Sequence, residues 1–127
     1  MAEIDTKDFY GSWSLVSFEV GKAGGILRNW GDDISGLLIY SPSGHMSAAI
    51  NRNISKERFS LDDCLFYAGE YAVKSGGKVI EHLVKNATDS NRIGQNLVRN
   101  VALDSGTLTL TGKSKSGSIF VLKWQRL

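Results

Sequence analysis

The sequence predicts an all-β protein built from eight antiparallel strands, and three observations carry this prediction. Most of the chain consists of short stretches in which apolar and polar residues alternate, separated by Gly, Ser, Asn and Asp. The segments between them are mostly short enough for hairpins rather than for helical crossovers. The length of 127 residues suits one domain with its own core, residues 1–127. Eight such strands can stack as a sandwich or close into an up-and-down barrel, which removes exposed sheet edges.

The strands follow from the alternating stretches, taken in chain order. They are predicted at residues 11–20, 34–41, 45–51, 66–74, 78–87, 94–104, 107–112 and 118–126. One segment favours a short helix, from Ser55 to Phe66, because Ser55 can act as an N-cap and Leu61, Cys64 and Leu65 are loosely spaced apolar residues. In that helix we expect Cys64 to be buried in an apolar role.

Turns decide which side chains share a face, because a shift of one residue in register moves a whole strand's side chains to the opposite face. A two-residue Gly-Gly loop at 76–77 places Val73 opposite Ile80 and Tyr71 opposite His82. In each pair the two side chains then lie on the same face of the predicted sheet.

The turn at 41–44 has Pro at its second position and Gly at its fourth, which is typical of a type I turn. Read in this way, the turn predicts Ile39 opposite Met46 and Leu37 opposite Ala48. The apolar residues of both strands then meet on one face.

Two further turns arrange the last three strands. A two-residue loop at 105–106 sets Leu103 opposite Leu108. A three-residue loop at 115–117 sets Trp124 opposite Leu108, whereas a two-residue loop would bring a lysine onto the apolar face.

The composition excludes several classes of function. Fifteen Lys and Arg stand against thirteen Asp and Glu, and the basic residues are scattered, so nucleic acid is not an expected partner. No apolar run approaches the roughly 20 residues of a membrane-spanning helix, and residues 1–5 do not resemble a signal peptide, so we expect a cytoplasmic location. Two histidines and one cysteine without a cluster predict no metal site. The glycine pairs lack the context of a phosphate-binding loop, so no cofactor is expected.

Gly11 and Trp13 near the start of the chain, with Arg126 near its end, resemble the structural signature of lipocalins. The segments 36–47 and 67–71 are similar to those of small bacterial and fungal lipocalin-like domain proteins that lack a signal peptide. The resemblance implies an eight-stranded antiparallel up-and-down β-barrel, lipocalin-like, with one short helix. It also implies that the ring of Trp13 packs under the Arg126 guanidinium, a cation-π contact that helps to close the barrel. The resemblance carries no agreed activity.

Strand alternation predicts a polar row in the interior. If Val101 points inward, so does Arg99, and the hairpin register sets Tyr71 and His82 on the facing interior. A connection centred on residues 90–91 would place His82 opposite Arg99. Such a row can bind a carboxylate, an enolate or a phenol, since Arg offers paired donors and Tyr and His offer one each. It can equally be structural, with the side chains bonded to one another or to water.

Two more residues are candidates for ligand binding, Trp30 and Met46. Trp30 belongs to the long irregular segment 20–33, which in lipocalin-like barrels partly covers the open mouth. It either lies at the entrance or anchors this loop against the barrel. Met46 is the candidate from the third strand.

Three functions are compatible with these residues. The first is the binding of a small hydrophobic molecule with a polar or acidic group inside the barrel, held by Arg99, Tyr71 and His82. The second is a cofactor-independent isomerase, cyclase or dehydratase, in which His82 or Tyr71 acts as acid or base and Arg99 stabilises negative charge. The third is a structural or interaction domain with a filled barrel. Edge pairing or a covered mouth would also allow a homodimer.

Overall fold

The computed structural model describes residues 4–55 and 60–127. In chain order its strands are β1 (Gly11–Lys22), β2 (Arg28–Asn29), β3 (Ser35–Tyr40), β4 (His45–Asn51), β5 (Cys64–Lys74), β6 (Val79–Ala87), β7 (Asn96–Asp104), β8 (Thr107–Lys113) and β9 (Ser118–Arg126). The described residues contain no α-helix, and their only helical elements are single 3-10 turns at Thr6–Phe9, Leu61–Asp63, Ser75–Gly77 and Ser90–Arg92.

The eight long strands, β1 and β3 to β9, form a closed antiparallel barrel. Each pairs with its neighbour along the chain, and β1 also pairs with β9, from Trp13 opposite Arg126 to Lys22 opposite Ser118. This closure confirms the up-and-down barrel and excludes the sandwich. The two-residue β2 pairs only with β1, outside the ring of eight strands.

The predicted helix from Ser55 to Phe66 is wrong where the structure describes it. Residues 56–59 lie outside the described part of the chain. After them, Leu61–Asp63 forms one 3-10 turn, in which the Ser60 side chain accepts a hydrogen bond from the Asp62 backbone N–H. The strand β5 then begins at Cys64 because its first residues pair with the end of β4, which satisfies more backbone groups than a short helix would.

Three of the predicted hairpin registers are confirmed. Tyr71 pairs with His82 and Val73 with Ile80 across β5 and β6. Leu108 pairs with both Leu103 on β7 and Trp124 on β9.

The register between β3 and β4 differs from the prediction by one residue. Ser41 N–H donates to His45 O at 2.9 Å, and Gly44 adopts a φ of +88°, so the loop has three residues rather than two. Tyr40 therefore pairs with Met46, and Leu38 pairs with Ala48. The predicted pairs were Ile39 with Met46 and Leu37 with Ala48, and the shift exchanges the faces of β3. Leu38 and Tyr40 are buried, whereas Leu37 is 41% exposed.

The register between β6 and β7 differs from the prediction by two residues. His82 pairs with Leu97, and Arg99 pairs with Ile80, because the connection runs through Gly94 with a φ of +89° and does not turn tightly at residues 90–91. A shift of two residues preserves the face of a strand, so His82 and Arg99 both still point inward.

One end of the barrel, here named the closed end, is covered by the residues that precede β1. Phe9 is fully buried and its carbonyl accepts a hydrogen bond from Trp13 Nε1 at 3.0 Å. The Arg126 Cζ lies 4.1 Å from the centroid of the Trp13 ring, and its Nη1 donates to Tyr10 O at 2.8 Å. Gly11 begins β1 with a φ of +111°, a conformation that favours glycine.

Both ends of the described chain are tied to this closed end. The Ile4 backbone N–H donates to Gly76 O at 3.2 Å, in the turn between β5 and β6. The Leu127 backbone N–H donates to Ser12 O at 3.0 Å, beside the start of β1. Across residues 4–55 and 60–127, no helix has the length and apolar character needed to cross a membrane.

Candidate functional site

The barrel holds an internal cavity of about 120 Å³ toward the end opposite the closed end. We call that end the mouth and define it by Trp30, Arg92 and Phe120. Most of the cavity wall is apolar, formed by Phe18, Ile50, Leu65, Leu110, Phe120 and Leu122. The residues of the wall that carry polar groups are Arg92, Arg99, Trp30 and Trp124, and no described residue of the wall is acidic.

Arg99 reaches this cavity from β7, where it is partly buried. Its guanidinium lies against Gly112 of β8, where an added Cβ would be 2.8 Å from the Arg99 Cζ, so the missing side chain makes room for it. Within residues 4–55 and 60–127 no carboxylate oxygen lies within 4.0 Å of this guanidinium. Among the described residues its hydrogen bond is to a backbone carbonyl, from Nη1 to Val98 O at 3.3 Å. Burial lowers the pKa of Arg99, which means that its charge is held at a cost.

His82 lies deeper in the barrel, only 1% exposed, between two tyrosines. Its Nε2 is 2.6 Å from the hydroxyl of Tyr40 on β3, and its Nδ1 is 2.7 Å from the hydroxyl of Tyr67 on β5. Burial, with a smaller contribution from the positive charge of Arg99, lowers the pKa of His82 to about 3. The imidazole is therefore neutral near pH 7.

Because the imidazole is neutral, the donors and acceptors in the hydrogen-bonded row of Tyr40, His82 and Tyr67 are restricted. Burial raises the pKa of both tyrosines, so both stay protonated. A neutral imidazole donates through one nitrogen and accepts through the other, so one tyrosine donates to His82 and the other accepts from it. The accepting tyrosine keeps its own O–H, for which the described residues supply no second acceptor.

Tyr71, predicted to complete the polar row, does not bond His82. Its hydroxyl donates to Ser41 O at 2.7 Å, at the turn between β3 and β4, although its ring packs 4.8 Å from that of Tyr40. The sequence prediction missed Tyr40 because of the one-residue register shift in β3. Tyr67 could have been found, since it lies four residues before Tyr71 on the same face of one strand.

The two remaining predicted ligand-binding residues differ in position. Trp30 lines the cavity at the mouth, and its ring stacks on Phe18 with centroids 4.9 Å apart and an interplanar angle of 13°. The Arg52 Cζ lies 4.5 Å from the Trp30 ring, so this loop residue is both anchored and at the entrance. Met46 is buried beside the turn between β3 and β4 and does not line this cavity.

Arg92 is a cavity residue that sequence reasoning missed. It ends the 3-10 turn Ser90–Arg92 and lies in a loop whose path no strand pattern predicts. Its Nε is 4.0 Å from Asp89 Oδ2, which is the limit of an ion pair. Arg92 also lines two outer clefts of about 340 and 480 Å³, and the larger one shares Arg99 and Phe120 with the inner cavity.

No described group of three or more His, Cys, Asp or Glu side chains is arranged to hold a metal ion. The lone cysteine, Cys64, starts β5, and its sulfur accepts a hydrogen bond from Asn51 Nδ2 at 3.2 Å. Binding in the cavity would rest on the two arginines and the two indoles, because the row of Tyr40, His82 and Tyr67 does not line it.

The closed barrel, its tryptophan and arginine pair and its internal cavity define a lipocalin-type barrel. The chain belongs to the lipocalin-like domain family, whose model matches residues 10–63 and 52–127. A comparison with curated proteins finds no match.

Two similar solved structures are designed proteins. A redesigned β-barrel has a TM-score of 0.53 at 15% identity, over 94% of this chain and 91% of that one. A de novo designed fluorescence-activating β-barrel has a TM-score of 0.54 at 15% identity, over 98% of this chain and 99% of that one. At this identity the likeness shows the fold alone.

Proposed function

We propose that this protein binds a small, largely apolar molecule inside the barrel and that Arg99 holds an acidic group of that molecule. One observation carries the proposal: a partly buried guanidinium faces an apolar cavity, and no carboxylate among the described residues pairs with it. A carboxylate, enolate or phenolate of a ligand would supply the missing partner. Arg is suited to this because its planar fork can donate two parallel hydrogen bonds.

The lipocalin-like fold supports this proposal, since eight-stranded barrels have an interior that can hold one small ligand. The cavity wall adds a preference for flat apolar groups, because the stacked rings of Phe18 and Trp30 lie at its mouth. Arg92 adds a second positive charge near the same place. The ligand is thus expected to place its apolar part inward and its acid beside the arginines.

Replacement of Arg99 by Met tests the proposal, because Met keeps an unbranched apolar stem and removes the charged guanidinium. We expect fatty acids, terpenoid acids, retinoic acid or aromatic polyketide acids to raise the melting temperature of the wild type, and their methyl esters to have less effect. In Arg99→Met the response to the acids should fall at least tenfold in apparent affinity. The melting temperature of the unliganded variant should be equal or higher, because an uncompensated buried charge is removed.

Lys123→Met is the matched control, since Lys123 is exposed on β9 and makes the same change of charge. It should bind the acids like the wild type. The proposal is overturned if Arg99→Met binds the acids unchanged. It is also overturned if no acid binds and Arg99→Met unfolds at a lower temperature, which would favour a filled barrel in which Arg99 is structural.

A second candidate function is a cofactor-independent isomerase, cyclase or dehydratase, favoured by the hydrogen-bonded row of Tyr40, His82 and Tyr67. None of these three residues lines the inner cavity, so a ligand would have to enter deeper than the cavity wall to reach the row. A ligand that did so could lose a proton from a carbon next to a carbonyl to the row, and the Arg99 guanidinium could stabilise the resulting enolate. In this row Tyr40 or Tyr67 takes the part that the sequence assigned to Tyr71, because the Tyr71 hydroxyl is bonded to Ser41 O.

The test of this second function is exchange of a ligand's carbon-bound hydrogen for solvent deuterium, followed by NMR. The wild type should catalyse the exchange, and His82→Gln should lose it at least tenfold while it keeps its affinity for the ligand. Binding without exchange by the wild type would reject the enzyme and leave the binding protein.

The cytoplasmic location and the homodimer stay predictions from the sequence. Cell fractionation tests the first. Native mass spectrometry of the samples used for ligand screening measures the second, and a monomeric mass with and without ligand would contradict the dimer.

A further inference from the structure

Trp124 carries a buried donor without a partner. The residue is 1% exposed, and its Nε1 is the one buried side-chain nitrogen or oxygen in residues 4–55 and 60–127 that has no hydrogen-bond partner. Buried polar groups in native proteins are nearly always bonded, and an unpaired one destabilises the fold. An orphan of this kind therefore needs a physical reason.

The other buried tryptophan shows that the chain can satisfy an indole in this barrel. Trp13 Nε1 donates to Phe9 O at 3.0 Å. Trp124 differs in its position, because it lines the internal cavity, whereas Trp13 lies under Arg126 at the closed end. The unpaired donor thus belongs to a residue of the cavity wall.

Trp124 and Arg99 mark different depths of this cavity. Arg99 lines both the inner cavity and the larger outer cleft at the mouth, whereas Trp124 lines the inner cavity alone. Trp124 pairs with Leu15 and Leu108 and stands two residues before Arg126, on the side of the closed end. A molecule held by Arg99 at the mouth would extend toward Trp124.

The size of the inner cavity limits what can lie between these two donors. A dry cavity of about 150 Å³ lined by apolar side chains binds a benzene molecule. The cavity of about 120 Å³ is close to that size, so it suits one six-membered ring. Larger parts of a ligand would have to lie in the outer clefts.

We propose that the Trp124 indole N–H is a second ligand-binding donor and that the preferred ligand is a single-ring acid with a hydroxyl or carbonyl oxygen across the ring from its acidic group. The inference rests on the proposed function, because Arg99 must hold the acid. The cavity wall favours this class because the polar side chains among its described residues, two arginines and two tryptophans, carry only donors, and none carries a carboxylate. A ligand with acceptors at both ends satisfies Arg99 and Trp124 together.

The experiment compares 4-hydroxybenzoate with benzoate, which lacks the second oxygen, by calorimetric titration. The wild type should prefer 4-hydroxybenzoate by about tenfold, the effect of one neutral hydrogen bond. In Trp124→Phe this preference should fall to about onefold, while the affinity for benzoate changes by less than about twofold. Trp30→Phe is the matched control, since it removes the other cavity indole, and it should keep the preference.

A second measurement does not depend on the variants. In the NMR spectrum of the wild type, the Trp124 indole N–H resonance should move downfield with 4-hydroxybenzoate and stay in place with benzoate. The inference is overturned, and the proposed function kept, if benzoate binds through Arg99 but the preference survives Trp124→Phe or is lost in Trp30→Phe. If larger acids bind but neither benzoate nor 4-hydroxybenzoate does, the inference is also overturned and the proposed function is kept. Failure of every acid to bind overturns both.

Discussion

His82 is the residue on which the pH dependence of this fold depends. Its imidazole is fully enclosed by Tyr40, Tyr67 and the surrounding core, and Arg99 adds a positive charge nearby. Protonation would place a second cation in that interior and would also remove the lone pair that one tyrosine donates to. The folded state therefore favours the neutral form of His82 and disfavours its protonation.

The stability of the protein should fall as the pH falls from about 6.5 toward 3. The native pKa of His82 is lowered to about 3 from 6.5, so between these values the unfolded chain binds the extra proton and is favoured by acid. Above pH 6.5 both states are neutral at His82 and the effect vanishes. At 1.36 kcal/mol per pKa unit, the free energy of unfolding should drop by about 2 kcal/mol from about pH 7.5 to about pH 5.

Urea unfolding at the two pH values measures this drop. His82→Gln is the comparison, because its amide can bond both tyrosines and does not titrate. The variant should lose most of the slope, whatever its absolute stability. An equal drop in wild type and variant would mean that carboxylates, not His82, set the pH dependence.

Among the elements, the turn between β3 and β4 determines the composition of the site. Its three-residue loop ends in Gly44 with a φ of +88°, and this conformation turns Tyr40 inward to His82. A loop shorter by one residue would send Tyr40 to the surface. The backbone conformation of one glycine thus decides which hydroxyl meets Nε2.

Substitution of Gly44 should destabilise the protein through the backbone alone, because no atom lies within 4 Å of an added Cβ. Asn tolerates a positive φ, Ala less, and a β-branched residue least. The expected order of stability is therefore Gly44, Asn, Ala and Val, with a loss of about 1 to 2 kcal/mol for Ala. Thermal or urea unfolding gives the order.

Ser43→Ala in the same loop serves as the comparison, because it removes two exposed hydrogen bonds of the Ser43 hydroxyl and leaves the backbone of Gly44 unchanged, so it should cost less stability than Gly44→Ala. A Gly44→Val variant as stable as Gly44→Asn would show that the loop can relax away from its positive φ. Hydrogen exchange of Tyr40 and Met46 would then reveal whether the register of the hairpin had changed.

The outcome for each register depends on how tightly its turn constrains the chain. The Gly-Gly and Ser-Gly turns closed the hairpins of β5 with β6 and of β7 with β8 as predicted, since few loop lengths fit those residues. Segment 36–40 contains Leu37, Leu38, Ile39 and Tyr40 in a row, so hydrophobicity could not tell one face from the other. The longer connection before β7 moved Arg99 by two residues, an even number, and its inward direction survived.

Closure of the whole barrel was predictable from the resemblance and not from the strand pattern, which fitted a sandwich equally well. The pairing of β1 with β9 joins residues roughly a hundred positions apart, and no local signal reports it. The size of the cavity was equally invisible, because it depends on how Phe18, Leu110 and Trp124 share the interior. The orphan indole N–H emerges only from that packing.

Both ends of the described chain lie at the closed end, the first bonded to Gly76 and the last to Ser12. A tag, a surface linker or a reporter domain joined to either terminus would therefore project away from the cavity. The protein could be immobilised on a biosensor chip through its first or its last residues with the mouth directed to the solution.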